Sequence, residues 1–180
     1  MRTLPLQKAF TLIEPGPVVW VTTWDGERPN VMTLTWTMVL DFTPRFALAT
    51  GPWNHSYAAL AHTRECVLAI PDAPMLDQVV GVGTCSGRDT DKFARFGLTP
   101  VAAQQVRAPL IKECLANIEC KVVDIVQAHG IVVLEGVAAH VSTGYRRRPM
   151  VHAVGDGTFV VDGEHLSRRT QMRSKLPPGV

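Results

Sequence analysis

The stretch Ala116-Asn-Ile-Glu-Cys-Lys-Val-Val-Asp-Ile-Val126 is followed, after Gln127-Ala128-His129-Gly130, by Ile131-Val-Val-Leu-Glu-Gly-Val-Ala-Ala-His-Val141. Both runs are long and rich in valine and isoleucine, whose branched side chains suit a pleated, half-buried surface. The short link around Ala128-His129-Gly130 predicts that they pair as a hairpin. Glu119, Lys121 and Asp124 are charges compatible with outward-facing positions on the first of the two strands. A pair of strands this long needs further strands to cover it, and the rest of the chain supplies them.

Residues 17–24, Pro-Val-Val-Trp-Val-Thr-Thr-Trp, read as a strand, and Asp25-Gly26 as the turn after it. A second strand is predicted over 30–40. Its alternation puts Met32, Leu34, Trp36 and Met38 on one face and Val31, Thr33, Thr35 and Thr37 on the other. That threonine row is either a half-exposed face or a line of hydroxyls along a ligand groove. Asp41-Phe42-Thr43-Pro44 is a turn, and 45–50 a third strand ending at Gly51-Pro52. A short helix is predicted over 54–62 with Asn54 or Ser56 near its start, then a buried strand over 66–70 stopped by Pro71 and Pro74. Short helices follow over 75–82 and 89–96, the latter ended by Gly97 and Pro100, and a last hairpin is centred on Asp162-Gly163. The tail, about 166–180, is expected to be extended. At least six strands joined mainly by hairpins, with three short helices, predict a mainly β fold: a closed or split antiparallel β-barrel decorated by helices.

At 180 residues and 46% hydrophobic the chain suits one compact domain with a substantial core. The formal charge of +2, with interspersed signs, does not suggest nucleic acid as the main partner. The Arg146-Arg147-Arg148 run and the tail cations Arg168, Arg169, Arg173 and Lys175 read as solvated surface. No run reaches the roughly 18 apolar residues of a membrane helix, and no secretory signal follows Met1, so a cytoplasmic protein is expected. Cys66, Cys85, Cys114 and Cys120 form no C-x-x-C pair and read as free thiols. The six histidines are scattered singly, no metal motif is present, and no G-x-S-x-G surrounds Ser86.

Chemistry is concentrated in Gly81-Val82-Gly83-Thr84-Cys85-Ser86-Gly87-Arg88-Asp89-Thr90-Asp91-Lys92-Phe93. Its glycines permit close approach of the backbone, and Ser86, Arg88 and Lys92 are donors suited to a phosphate or another anion. Asp89 or Thr90 is expected to cap the following helix, aiming its free amides at the same place. The spacing G-x-G-x-x-x-G is neither a Rossmann turn nor a P-loop, and an ordinary loop leading into a helix is the plain alternative.

Taken in order, Pro17-Val-Val-Trp-Val-Thr-Thr, Asp25-Gly26, Pro29-Asn30-Val-Met-Thr33-Leu-Thr-Trp36, Asn54-His-Ser56-Tyr57, Cys85-Ser86-Gly87-Arg88 with Asp91-Lys92-Phe93, Ala108-Pro109 and Glu119-Cys120 resemble the flavin reductase-like, FMN-binding split-barrel family, flavoredoxins in particular. The resemblance implies a single FMN-binding domain over 1–180 that works as a homodimer of split barrels, each holding one FMN non-covalently near the subunit interface. It implies a strand along the flavin contributing Asn30, Met32, Thr33, Leu34, Thr35 and Trp36, with the threonine hydroxyls at the polar ring edge. Ser56, beside Asn54 and Tyr57, would join Ser86, Arg88 and Lys92 at the phosphate. Thr50, Gly51, Cys85, Gly87 and Phe93 complete the implied cofactor set. His129 is implied near a nicotinamide donor. Where family members often carry Arg or Lys before the Ser/Thr-Tyr pair, this chain has Asn54-His55. The implied activity is transfer of a hydride from NAD(P)H to the flavin and of electrons onward to an acceptor. An electron carrier fed by a redox-partner protein and a split barrel that binds a ligand without turnover are the alternatives.

Overall fold

The computed structural model describes residues 1–179. Its strands are β1 (Arg2–Thr3), β2 (Val19–Trp24), β3 (Pro29–Leu34), β4 (Thr37–Val39), β5 (Arg45–Ala49), β6 (Glu65–Ile70), β7 (Pro100–Val101), β8 (Leu110–Ile111), β9 (Ala116–Val126), β10 (Ile131–Val141), β11 (Val151–Ala153) and β12 (Phe159–Val161). The helices are α1 (Ser56–Thr63), α2 (Leu76–Gly83), α3 (Lys92–Arg95) and α4 (Arg169–Met172), with a 3-10 segment over Leu6–Leu12.

The main sheet is antiparallel and runs β3-β2-β6-β9-β10-β5-β4, with β1 added on β10. Its spine is the hairpin expected from sequence: β9 and β10 pair from Val126↔Ile131 to Ala116↔Val141. Two register shifts, between Val133 and Leu134 and between Gly136 and Ala138, bend it. At the second, the Gly136 amide donates to the Pro44 carbonyl at 2.7 Å, and a Cβ on Gly136 would press on Pro44 and Ile118 at 3.2–3.3 Å.

The sheet's two edges, β3 and β4, are neighbours in sequence, separated by Thr35 and Trp36 alone. Three Cα steps span at most about 11 Å, whereas seven flat strands would put the edges roughly 29 Å apart. The sheet must therefore curl until its edges meet, which makes a barrel split along the β3–β4 seam. The single strand expected over 30–40 is thus two. Leu34 pairs with Val19 of β2 while Thr37 pairs with Leu48 of β5, so the chain changes partner at Thr35-Trp36 with no glycine or proline to mark it. The uniform two-face pattern ends there too, since Leu34 is buried but Trp36 is 67% exposed.

The curled sheet encloses one core, from Phe10, Leu12 and Val21 through Phe46, Leu48, Leu68, Ile118 and Leu134. A second core lies outside it. Val18, Trp20 and Val31 cover part of the sheet's outer surface and pack against Val79 and Val82 of α2 and against Phe93 and Leu98. The β2 sequence Val-Trp-Val therefore carries no polar alternation, because both faces are buried. Trp20 Nε1 donates to Thr33 Oγ1 at 3.1 Å, and Thr33 Oγ1 donates to the Val79 carbonyl at 2.8 Å, fixing α2 against β3.

Three local expectations change. The last hairpin pairs Val151–Ala153 with Phe159–Val161, so it turns through the Gly155-Asp156-Gly157 region and not at Asp162-Gly163. In the tail, expected to be extended, Arg169–Met172 and Arg173–Lys175 form helical and 3-10 turns. Glu119 is fully buried. Its carboxylate accepts the Gln104 amide at 3.0 and 3.1 Å and the Gln105 amide at 2.5 Å, and lies 2.7 Å from His140 Nε2. Glu65 accepts the Arg107 amide at 2.6 Å, so two carboxylates on adjacent strands staple the 102–109 loop to the barrel. No helix of the described residues is long and apolar enough to cross a membrane.

Burial alone would raise the pKa of Glu119. The Gln104 and Gln105 amides and the His140 ring outweigh it and hold the carboxyl below its ordinary value of 4.5. The linked stabilisation is present above that value and lost as pH falls through the lower folded one. Glu119→Gln should cost roughly 3–5 kcal/mol in urea unfolding at pH 7 and flatten the loss of stability below about pH 4.5. Unchanged stability with an unchanged acid limb would refute the staple.

Candidate functional site

A cleft of about 240 Å³ opens where β3, the start of α1 and the loop between α2 and α3 come together. The outer core sets this up. By docking α2 on β3 it carries the 84–91 loop beside Asn30, and Arg28 Nη2 ties the loop down by donating to the Gly87 carbonyl at 3.1 Å. Asn30 Nδ2 donates to Ser56 Oγ at 2.8 Å, joining β3 to the first residue of α1. Gly87 leaves room for the Asn30 side-chain amide, which a Cβ at that position would displace.

The loop side of the cleft is rich in hydrogen-bond donors. The backbone amides of Cys85, Ser86 and Gly87 have no acceptor among the described residues. Lys92 is buried, and its Nζ donates at 2.8 Å to the Val82 carbonyl in the last turn of α2. An ammonium carries three donors, so two remain. Burial lowers the Lys92 pKa from its ordinary value, with Cys85 acting against the shift. Beyond Asn30, α1 starts at Ser56 with no side-chain cap from His55, and its Tyr57 amide donates to the Asn54 carbonyl at 3.0 Å. Trp53 forms another wall; its ring lies against Gly51 and Gly130, where an added Cβ would clash with it.

Of the residues predicted from sequence, Asn30, Met32, Thr33, Asn54, Ser56, Cys85, Ser86, Gly87 and Lys92 line this cleft. The others do not. Leu34 lies in the barrel core and Phe93 in the outer core. Tyr57 is half-buried against the barrel core, and Thr50 is buried with its hydroxyl accepting from Asn54 Nδ2 at 3.0 Å. Gly51 sits beneath Trp53. Thr35, Trp36 and Arg88 are exposed outside the lining. His129 is exposed on the β9–β10 turn, also outside the lining, beside Gly130 under the Trp53 ring. The Thr33 hydroxyl, read as a free donor, is already committed between Trp20 and Val79. The helix after the loop is capped by Asp91, which accepts the Ala94 amide at 3.1 Å, and not by Asp89 or Thr90. With four residues it adds no N-terminal anion site of its own.

Sequence reasoning missed Arg28, Trp53 and His55. Arg28 acts on a loop 59 residues away, which no local pattern reveals. Trp53 had a usable signal: an aromatic residue between Gly51-Pro52 and a helix start, exposed at 67%.

Residues 13–158 match the Flavin reductase like domain. The chain belongs to that family. Its fold superposes on an FMN-binding domain of a flavin reductases-like enzyme from Shewanella baltica with a TM-score of 0.83 at 21% identity, covering 92% of this chain and 96% of that one. Against flavoredoxin of Desulfovibrio vulgaris the TM-score is 0.79 at 25% identity, over 85% and 90% of the two chains. Against an NADH:FAD oxidoreductase of Streptomyces globisporus it is 0.70 at 18% identity, over 83% and 87%. The mainly antiparallel, curled sheet with few short helices is the split barrel of these proteins.

Gly87→Ala should push the Asn30 side chain off Ser56 and cost about 1–3 kcal/mol in chemical denaturation. Wild-type stability together with an intact Asn30–Ser56 hydrogen bond in the variant's crystal structure would contradict the packing described for the cleft.

Proposed function

We propose that this chain is an FMN-dependent oxidoreductase of flavin reductase or flavoredoxin type that draws its electrons from NADH or NADPH. The observation that carries the reading is the donor set on one side of the cleft: three consecutive unpaired amides at Cys85–Gly87, with Lys92 and the hydroxyls of Ser56 and Ser86 around them. A phosphate monoester carries close to two negative charges at neutral pH and favours backbone amides and an ammonium over water. These residues fit the phosphate of FMN. Among the described residues no carboxylate lines the cleft to oppose it.

Lys92, Ser56 and Ser86 would hold that phosphate, and Asn30 would keep Ser56 in place. Met32 and the Trp53 ring would bound the flat apolar part of the cofactor, where an aromatic face adds stacking. When bound, FMN supplies the redox chemistry, accepting a hydride and passing electrons to an acceptor. The chain's own task is to orient the ring and limit access of water. His129, next to the backbone on which Trp53 rests, is the candidate for positioning the nicotinamide donor. The neighbour described as an NADH:FAD oxidoreductase supports that donor class. Trp36, Met38, Leu40 and Phe42, exposed along and beyond β4, offer an apolar face for a second copy of the chain, consistent with a homodimer.

Purified protein soaked with FMN should show flavin absorption bands that bleach on anaerobic addition of NADH or NADPH. Bands that bleach with dithionite but with neither nucleotide would overturn the nicotinamide reading, and failure to retain flavin would overturn the whole. Lys92→Met, which keeps the buried stem and removes the charge, should weaken FMN binding by about tenfold or more. Unchanged affinity in a fluorescence titration would remove Lys92 from the phosphate site.

A further inference from the structure

A second cavity, of about 320 Å³, shares no lining residue with the cleft. It lies among the 3-10 segment at Leu6–Leu12, the 145–150 segment and the start of the tail. Four cationic side chains from three separate parts of the chain line it: Lys8, Arg146, Arg148 and Arg169. Three of the arginines that read from sequence as solvated surface, Arg146, Arg148 and Arg169, thus border one hollow.

They are engaged to different degrees, and Arg169 has interactions of its own. Arg148 is anchored, its Nε donating to Asp72 Oδ2 at 2.7 Å, Nη1 to Ser142 Oγ at 2.9 Å and Nη2 to the Glu113 carbonyl at 2.8 Å. Asp162 is the one carboxylate among the described lining residues, and it is already engaged. It accepts the Met150 amide at 3.0 Å and lies 2.8 Å from His152 Nε2. Lys8 and Arg146 meet no carboxylate among the described residues. The Arg146 guanidinium lies 5.6 Å from the Tyr145 ring centre and donates through Nε to the phenol oxygen at 3.1 Å, which leaves its outer N–H groups for another acceptor. The lining also has an apolar part, made of buried Leu12 and Leu115 together with Met150.

Cations drawn together beside apolar side chains repel one another, and a bound anion relieves that repulsion. A planar guanidinium held by stacking is suited to an oxyanion, and the apolar part of the lining to a hydrocarbon body. We propose that this cavity is a second ligand site, independent of the flavin cleft, that binds a small organic oxyanion: a carboxylate or a phosphate monoester carried on an apolar group about the size of a phenyl ring.

The test is isothermal titration of the full chain, with and without saturating FMN, using benzoate, phenyl phosphate and inorganic phosphate as probes. One of the two organic probes should saturate a single site per chain, with or without FMN, and bind more weakly as salt is raised. The tighter of the two identifies the charged group. The double variant Lys8→Gln/Arg146→Gln should weaken that probe by about tenfold or more while FMN affinity holds. If the double variant does not fold by circular dichroism, Lys8→Gln alone should give a smaller loss in the same direction. Three results would overturn the proposal: no saturation by either organic probe below roughly 10 mM, binding unaffected by the variants, or inorganic phosphate binding as tightly as phenyl phosphate.

Discussion

Two residues, Thr35 and Trp36, join the opposite edges of the main sheet, and that short link is the constraint on which the rest of the molecule depends. It allows the edges no more than about 11 Å of separation, so the sheet has to close on itself. Closure creates the inner core of Phe46, Leu48, Leu68 and Leu134, and exposes a strongly curved outer surface at β2 and β3. Trp20 and Val31 on that surface cannot be left in water, and α2 and α3 cover them. The loop between those helices is then held next to β3, with no separate device needed to bring it there.

The cleft is assembled from contacts that each serve two elements. Asn30 supports Ser56 on α1, and Arg28 on the same hairpin holds the Gly87 carbonyl. Thr33 links Trp20 to α2. These side chains are committed, so among the described residues the donors left to the cleft include the 85–87 amides, Lys92 and the hydroxyls of Ser56 and Ser86. The cleft lining thus combines donors suited to negative charge with Met32 and the Trp53 ring, which offer none. On β6 and β9, the Glu65 and Glu119 carboxylates hold the 102–109 loop by its amides, a buried use of charge in which each of these anions has its donors.

Much of this was legible in the sequence where the signal was local. The Val/Ile runs at Ala116–Val126 and Ile131–Val141 declared the central hairpin, and the clustering of small residues, hydroxyls and Lys92 declared the loop. What stayed hidden was decided by partners distant in sequence. The alternation over 30–40 is equally good for one strand or two, because nothing in it records that β3 pairs with β2 and β4 with β5. Glu119 reads as a surface charge until the backbone of Gln104 and Gln105 arrives to satisfy it. Arg88 has the right chemistry beside the right glycine and still lies outside the cleft, while Arg28, on another hairpin, reaches the loop.

The central claim is that the cleft recognises a flavin by its phosphate. Its most direct measurement is a fluorescence-quenching titration of the wild-type chain with FMN and with riboflavin, which differ only in that group. Binding of FMN at least about tenfold tighter than riboflavin, with the difference shrinking as salt is raised, is the expected result. Equal affinity for the two would contradict the claim, since the amides of Cys85–Gly87, Ser56 and Lys92 would then contribute nothing to holding the ligand.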